Sequence, residues 1–266
     1  MPLPAAEPTT LAGKTCLVTG GAGGLGKAIV TAFLKAGANV IMCDINQERL
    51  KETSTELAGA GSLTAVRADI TNPAEVEDLF TEIAGKFPTL DVLVNNAAIM
   101  DRFDPVAELD LELWDKVLSV NLTAPFMMTK LALRAMLQQP NSNGCIINIA
   151  SGSAKAGWLA GTAYTASKHG LIGLTKSTSS FYGAKGIRCN ALLCGMMDTN
   201  ICDSFQAGCN AEGRRKVMDI LSGSRPQQCR VEDVAGFCLY LAHGAGSNAI
   251  NGACIAVDHG WTSIVG

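Results

Sequence analysis

The sequence predicts an α/β protein: a doubly wound parallel sheet of about seven strands with helices on both faces. Three observations carry that reading. Short β-branched or apolar runs alternate with longer helical patterns along the whole chain. The runs are nearly continuous in apolar residues, as in strands covered on both sides. Strand–helix alternation then implies right-handed βαβ units in an open sheet. The chain has 266 residues, 48% hydrophobic and 17% charged, enough for a large core and unlike a disordered segment.

Strands are expected at "KTCLVT" (14–19), "NVIMCD" (39–44), "LTAVRAD" (63–69), "DVLVNNA" (91–97), "GCIINIAS" (144–151), "IRCNALL" (187–193) and "CIAVD" (254–258). Helical patterns fill 25–37, 47–58, 73–87, 111–138, 163–183 and 231–242. Asn72 and Pro73 supply a cap residue and a proline at the first helical position, followed by acidic Glu75 and Glu77. The glycines of "GANV" and "GIRC" end two helices. Residues 1–12, with three prolines, read as a flexible tail, and 13–266 as one domain. The segment at about 196–226 breaks the alternation, which marks a substrate lid or short helices.

"TGGAGGLG" (19–26) follows the first strand and opens the first helix. Glycines there permit a tight turn and a close approach of backbone to a pyrophosphate, while the helix N-terminus offers amide donors. Asp44 ends the second strand about 20 residues on, where an acid accepts hydrogen bonds from the adenosine ribose. The pattern predicts a Rossmann-type dinucleotide site, with a merely tight βα turn as the alternative. A carboxylate at that place repels a 2′-phosphate, so Asp44 favours NAD(H), with NADP(H) the alternative.

"AYTASKHG" (163–170) puts Tyr164 and Lys168 four residues apart on one helical face. An ammonium beside a phenol favours the phenolate, bringing proton exchange nearer neutral pH. Taken alone, the pair also fits a solvated helix face.

The combination resembles the short-chain dehydrogenase/reductase family, in its compact single-domain branch, over essentially the whole chain. The family's T-G-x-x-x-G-x-G matches Thr19, Gly20, Gly24 and Gly26, and its Y-x-x-x-K matches Tyr164 and Lys168. Its serine stands thirteen residues before the tyrosine, as Ser151 does here, and its helix asparagine matches Asn121. The resemblance implies Tyr164 as general acid/base and Lys168 as the cation that lowers its pKa and holds the nicotinamide ribose. Ser151 steadies the substrate oxygen, and Asn121 holds a water that links Lys168 to solvent. It implies cofactor contacts from Gly20, Gly24, Leu25 and Gly26, and from Asp69 and Ile70 beside the adenine. It also implies Asn95 beside the adenosine ribose, Ala97 among the cofactor contacts, and Met197 and Thr199 at the carboxamide.

Three positions depart from the family pattern. Ala98 replaces the glycine of N-N-A-G. Cys194–Gly195 replaces P-G, which predicts a looser loop after the sixth strand. His259 replaces a glycine of V-D-G-G near an expected subunit contact.

A substrate pocket is expected from Met100, Ser153, Trp158, Met196 and Phe205, an apolar lining suited to a ketone or secondary alcohol on a largely hydrophobic body. A redox-neutral enzyme (dehydratase, epimerase or cyclase) and a non-catalytic nucleotide-binding protein on the same fold are the alternatives. A net charge of −3 gives no case for nucleic acid or an anionic membrane. No apolar run reaches bilayer length. The start has neither the basic nor the apolar region of a leader peptide, so the expected location is cytoplasmic. Ten cysteines without C-x-x-C read as free buried thiols, and no metal is expected. The resemblance implies a homo-oligomer, a tetramer or dimer, through helices 111–138 and 163–183.

Overall fold

A computed structural model describes residues 10–140, 142–201, 203 and 208–265. A single parallel sheet of seven strands runs in the order β3-β2-β1-β4-β5-β6-β7. The strands are β1 (Thr15–Thr19), β2 (Asn39–Asp44), β3 (Ser62–Arg67), β4 (Val92–Asn95), β5 (Cys145–Ser151), β6 (Arg188–Cys194) and β7 (Cys254–Val257). The helices are α1 (Gly24–Lys35), α2 (Gln47–Glu56), α3 (Pro73–Lys86), α4 (Leu111–Leu118), α5 (Ala124–Leu137), α6 (Thr162–Tyr182), α7 (Ala211–Ser224), α8 (Val231–His243) and α9 (Trp261–Val265).

The strand side chains explain why both faces need cover. In β1, Cys16 and Val18 point into one core and Leu17 into the other. In β2, Val40 and Met42 oppose Ile41 and Cys43, and in β4, Val92 and Val94 oppose Leu93. α1 and α8 close the first core with Ile29, Phe33, Val234 and Leu241. α3 and α5 close the second with Leu79, Ile83, Met128 and Met136. A period-two pattern thus becomes continuous hydrophobicity, because every strand residue meets a helix.

β1 pairs with β2 on one side and β4 on the other. The chain therefore leaves the sheet in opposite directions after these two strands, and a crevice opens beyond their C-terminal ends. The glycine turn sits there. Gly20 holds φ at +61°, and a Cβ on it would stand 2.9 Å from the Cα of Ala97. A Cβ on Gly26 would meet the Gly20 carbonyl oxygen at 1.9 Å, so this glycine lets α1 press against the turn.

Expected and observed elements differ in several places, among them α9, which was not expected. Residues 10–12 are not tail: Leu11 is fully buried, and its amide donates to the Ala36 carbonyl at 2.7 Å. The pattern at 111–138 is two helices joined by a π-helical turn, Ser119–Thr123, rather than one helix. The 196–226 segment contains α7. The residues after β6 are pinned rather than loosened by the missing proline. The Gly195 amide donates to Val257 O at 3.0 Å, and Met196 O accepts from the Cys229 amide at 2.8 Å.

His259 adopts φ +52°, the left-handed region, where the family pattern has glycine. An L-residue there costs about 1 kcal/mol. Replacing it, His259→Gly, is expected to raise the thermal midpoint by about 2 °C in a melting experiment.

Candidate active site

The crevice is a cleft of about 630 Å³ above β1, β4, β5 and β6. Tyr164, Lys168 and Ser151 meet on its wall. β5 ends at Ser151, and α6 lies over that strand end with Tyr164 and Lys168 one turn apart on its inner face. Tyr164 is 6% exposed and Lys168 2%. The Lys168 ammonium stands 5.5 Å from the centre of the Tyr164 ring and donates to the Ile149 carbonyl at 2.9 Å. The Ser151 hydroxyl accepts from the Ser153 amide at 3.1 Å, which aims it across the strand end.

Burial dominates the electrostatics. Removal from water pushes the Tyr164 phenol well above its ordinary range. A hydrogen bond with Ser151 opposes this, while nearby Cys194 and Asp101 reinforce it. The same burial pushes Lys168 down to about 8, with Cys194 acting in the opposite direction. The Cys194 thiol, also in the cleft wall, is raised to about 12 by burial despite the adjacent lysine. A low-dielectric wall thus disfavours the charged form of both groups, and a positive ligand beside the phenol would favour the phenolate.

Asn121 lies in the π-helical turn and is fully buried. Its Oδ1 accepts from the Ile99 amide at 2.9 Å. Its Nδ2 donates to Ile99 O at 2.9 Å and Ser167 Oγ at 3.2 Å. Both amide hydrogens are committed, so the side chain locks the β4 loop to α6.

The residues of the dinucleotide end fit a nicotinamide cofactor. The N-cap of α1 is Gly23, so no side chain of its own N-cap occupies the first-turn amides. Asp44 Oδ2 accepts from the Ala22 amide at 3.2 Å and Oδ1 from the Asn46 amide at 3.0 Å, and the carboxylate faces the cleft. Gly20, Gly24, Leu25, Asp69, Ile70, Ala97, Met197 and Thr199 all line it. Asp69 is braced by Thr71, whose amide and hydroxyl both donate to Oδ1 at 2.9 and 2.7 Å.

Several expectations need correction. Asn95 does not line the cleft; its Nδ2 donates to Thr129 Oγ1 and Asn148 Oδ1 at 3.1 and 2.8 Å behind the sheet. The neighbouring Asn96 lines the cleft instead and ties the turn, its Nδ2 donating to the carbonyls of Thr19 and Gly20. Gly26 serves helix packing rather than the cleft surface. Met100, Ser153 and Met196 stand in the lining, but Trp158 does not. It packs edge-on against Trp261, ring centres 6.2 Å apart, and Trp261 is the indole that reaches the cleft. Phe205 lies outside the described residues. Sequence reading missed Trp261 and the α7 residues Val217, Met218 and Leu221 in the lining. The helical spacing of those three, i, i+1 and i+4, was the available signal. Among the described residues, no helix is long and apolar enough to cross a membrane.

Comparison with known proteins agrees with this geometry. The short chain dehydrogenase family model matches residues 14–210. The short chain dehydrogenase/reductase dpchG of Colletotrichum higginsianum is 66% identical over 260 residues, 97% of each chain. The 3beta-hydroxysteroid dehydrogenase 2 of Eggerthella lenta is 37% identical over 254 residues, 95% of this chain and 96% of that one. The 3-ketoacyl-(acyl-carrier-protein) reductase from Brucella melitensis, solved with NADH, superposes with a TM-score of 0.84 at 25% identity, covering 95% of this chain and all of that one. On the family match over most of its length and these full-length relatives, the chain belongs to the short-chain dehydrogenase/reductase family and is an NAD(P)-dependent oxidoreductase.

Proposed function

We propose that the protein interconverts a ketone and a secondary alcohol on a largely apolar small molecule, with NAD(H) as its cofactor. The observation that carries this reading is the buried Tyr164–Lys168 pair beside Ser151 on the wall of a cleft that Met100, Met196, Leu221 and Trp261 also line. When bound, the nicotinamide supplies or takes up the hydride. The chain's own work is then to hold the carbonyl oxygen and move one proton. Ser151 donates a hydrogen bond to that oxygen. Tyr164 gives it a proton in reduction and removes one in oxidation. Lys168 stabilises the phenolate left behind, and its donors suit the ribose hydroxyls. Met100, Met196, Leu221 and Trp261 surround the space beside these groups and exclude water from the substrate body. The hydroxysteroid relative supports a bulky alicyclic substrate class. Exposed Phe126 on α5 and Phe181 on α6 support assembly of the chain through those helices.

Asp44 supports NAD(H). Its carboxylate accepts ribose hydroxyls and meets a 2′-phosphate with like charge. Fluorescence titration is expected to show NADH binding at least ~10-fold tighter than NADPH, and Asp44→Asn is expected to narrow that ratio. Equal affinities in the native protein would contradict the assignment.

Tyr164→Phe is expected to lower kcat by at least ~1000-fold while NADH affinity stays within ~3-fold, measured by nicotinamide absorbance on a ketone panel. Substantial turnover in that variant refutes the mechanism.

The pH dependence follows from Lys168. Its folded pKa lies below its ordinary value, at about 8, so the ammonium is present below pH 8 and lost above it. Ketone reduction needs that charge as Tyr164 gives up its proton. The kcat/KM for reduction is therefore expected to fall as pH rises through about 8. A profile flat well above that point would contradict the role.

A further inference from the structure

We propose that Asp101, on the loop after β4, is a positioning residue for Tyr164, holding the start of α6 in place and setting a carboxylate beside the phenol. This rests on the reading of Tyr164 as the acid/base. α6 is capped from outside its own sequence. Its N-cap is Gly161, which has no side chain to offer. Asp101 supplies the acceptors from 60 residues away: Oδ1 takes the Gly161 amide at 3.0 Å, and Oδ2 takes the amide of Tyr164 itself at 2.9 Å. Oδ1 also accepts from Phe103 N at 3.1 Å, which fixes the carboxylate within its own loop. A Cβ on Gly161 would lie 2.6 Å from Oδ2, so the glycine makes room for the carboxylate.

Two consequences follow. The main chain of Tyr164 is pinned directly, and the phenol is placed by the same bond. Asp101 is also 1% exposed, so its charge acts in a dry setting at the positive end of the α6 dipole. A neutral acceptor would be enough to cap the helix; an anion at this place also opposes ionisation of the tyrosine, in the same direction as burial. The charged groups around the carboxylate are few. Asp104 raises the Asp101 pKa further after burial, while Arg102 is drawn away to Asp104 and Asp110 at 3.1 and 2.6 Å. Around Tyr164 stand Lys168, Ser151 and Cys194. Asp101 does not line the cleft, so it reaches the reaction only through Tyr164.

The test uses the NAD⁺ complex. The chain has three tyrosines, so the tyrosinate absorbance step that Tyr164→Phe removes belongs to Tyr164. In Asp101→Asn that step is expected to move to lower pH by roughly half a unit as the anion is lost. Turnover is expected to drop ~10-fold with KM nearly unchanged, because the phenol is less well placed. Gly161→Ala, which keeps the charge but crowds the carboxylate, is expected to lose turnover in the same way and carries the test if Asp101→Asn does not fold. An unmoved or upward step, or native turnover in either folded variant, overturns the proposal. A lower melting temperature with an unmoved step does so too, because it marks a merely structural cap. Full activity in Tyr164→Phe instead overturns the reading of the site.

Discussion

The ammonium of Lys168 is held out of water beside a phenol, and the active end of the molecule is arranged around that fact. A buried charge is unfavourable unless partners meet it. Here the Ile149 carbonyl takes the ammonium and the Tyr164 ring lies beside it. The result is a lysine able to gain or lose charge near physiological pH, facing a tyrosine that resists ionisation. Neither property belongs to the residues themselves. Both come from packing α6 across the end of β5, over a sheet covered on both faces. The reversal of chain direction between β1 and β4 then brings the dinucleotide turn to the same crevice.

The loop Asp101–Asp104 connects the parts of this end. Asp101 caps α6, and Asp104 O accepts from both the amide and the hydroxyl of Thr162. On its other side the loop holds α7: Arg102 O accepts from the Asn210 amide at 2.7 Å, and Gly213 packs where a Cβ would lie 1.9 Å from Phe103 O. Phe103 itself is buried at φ +63°, a conformation non-glycine residues rarely adopt. Strain of that kind persists only where neighbours over-determine it. One loop therefore seats both α6, which carries Tyr164 and Lys168, and α7, which lines the cleft.

Much of this was legible in the sequence because it is local. Continuous apolar runs marked the strands, since burial on both faces removes the need for alternation. Asn72–Pro73 and the glycines at 37 and 186 marked helix ends, because capping and left-handed φ are properties of a few adjacent residues. What escaped depends on contacts between distant segments. The cap of α6 comes from Asp101, which no motif around Gly161 announces. The break between α4 and α5 falls where Asn121 bonds Ile99 and where Pro125, in the first turn of α5, has no amide for the carbonyl four residues back. Two tryptophans were equally apolar in the sequence, and only the fold decides that Trp261 reaches the cleft while Trp158 supports it. Asn95 and Asn96 are adjacent, so strand pleat alone decides which side chain turns inward.

Transfer of deuterium from the reduced cofactor tests the central claim, that this cleft moves a hydride while the Tyr164–Lys168 pair moves the proton. The protein is given NADH deuterated on the transferring face and a panel of alicyclic ketones that includes a 3-ketosteroid, and the products are analysed by mass spectrometry. The account predicts alcohol carrying deuterium on the carbinol carbon, one for each cofactor oxidised, and an unlabelled hydroxyl proton drawn from solvent. Product formed without deuterium, or substrate altered with no cofactor consumed, would contradict it.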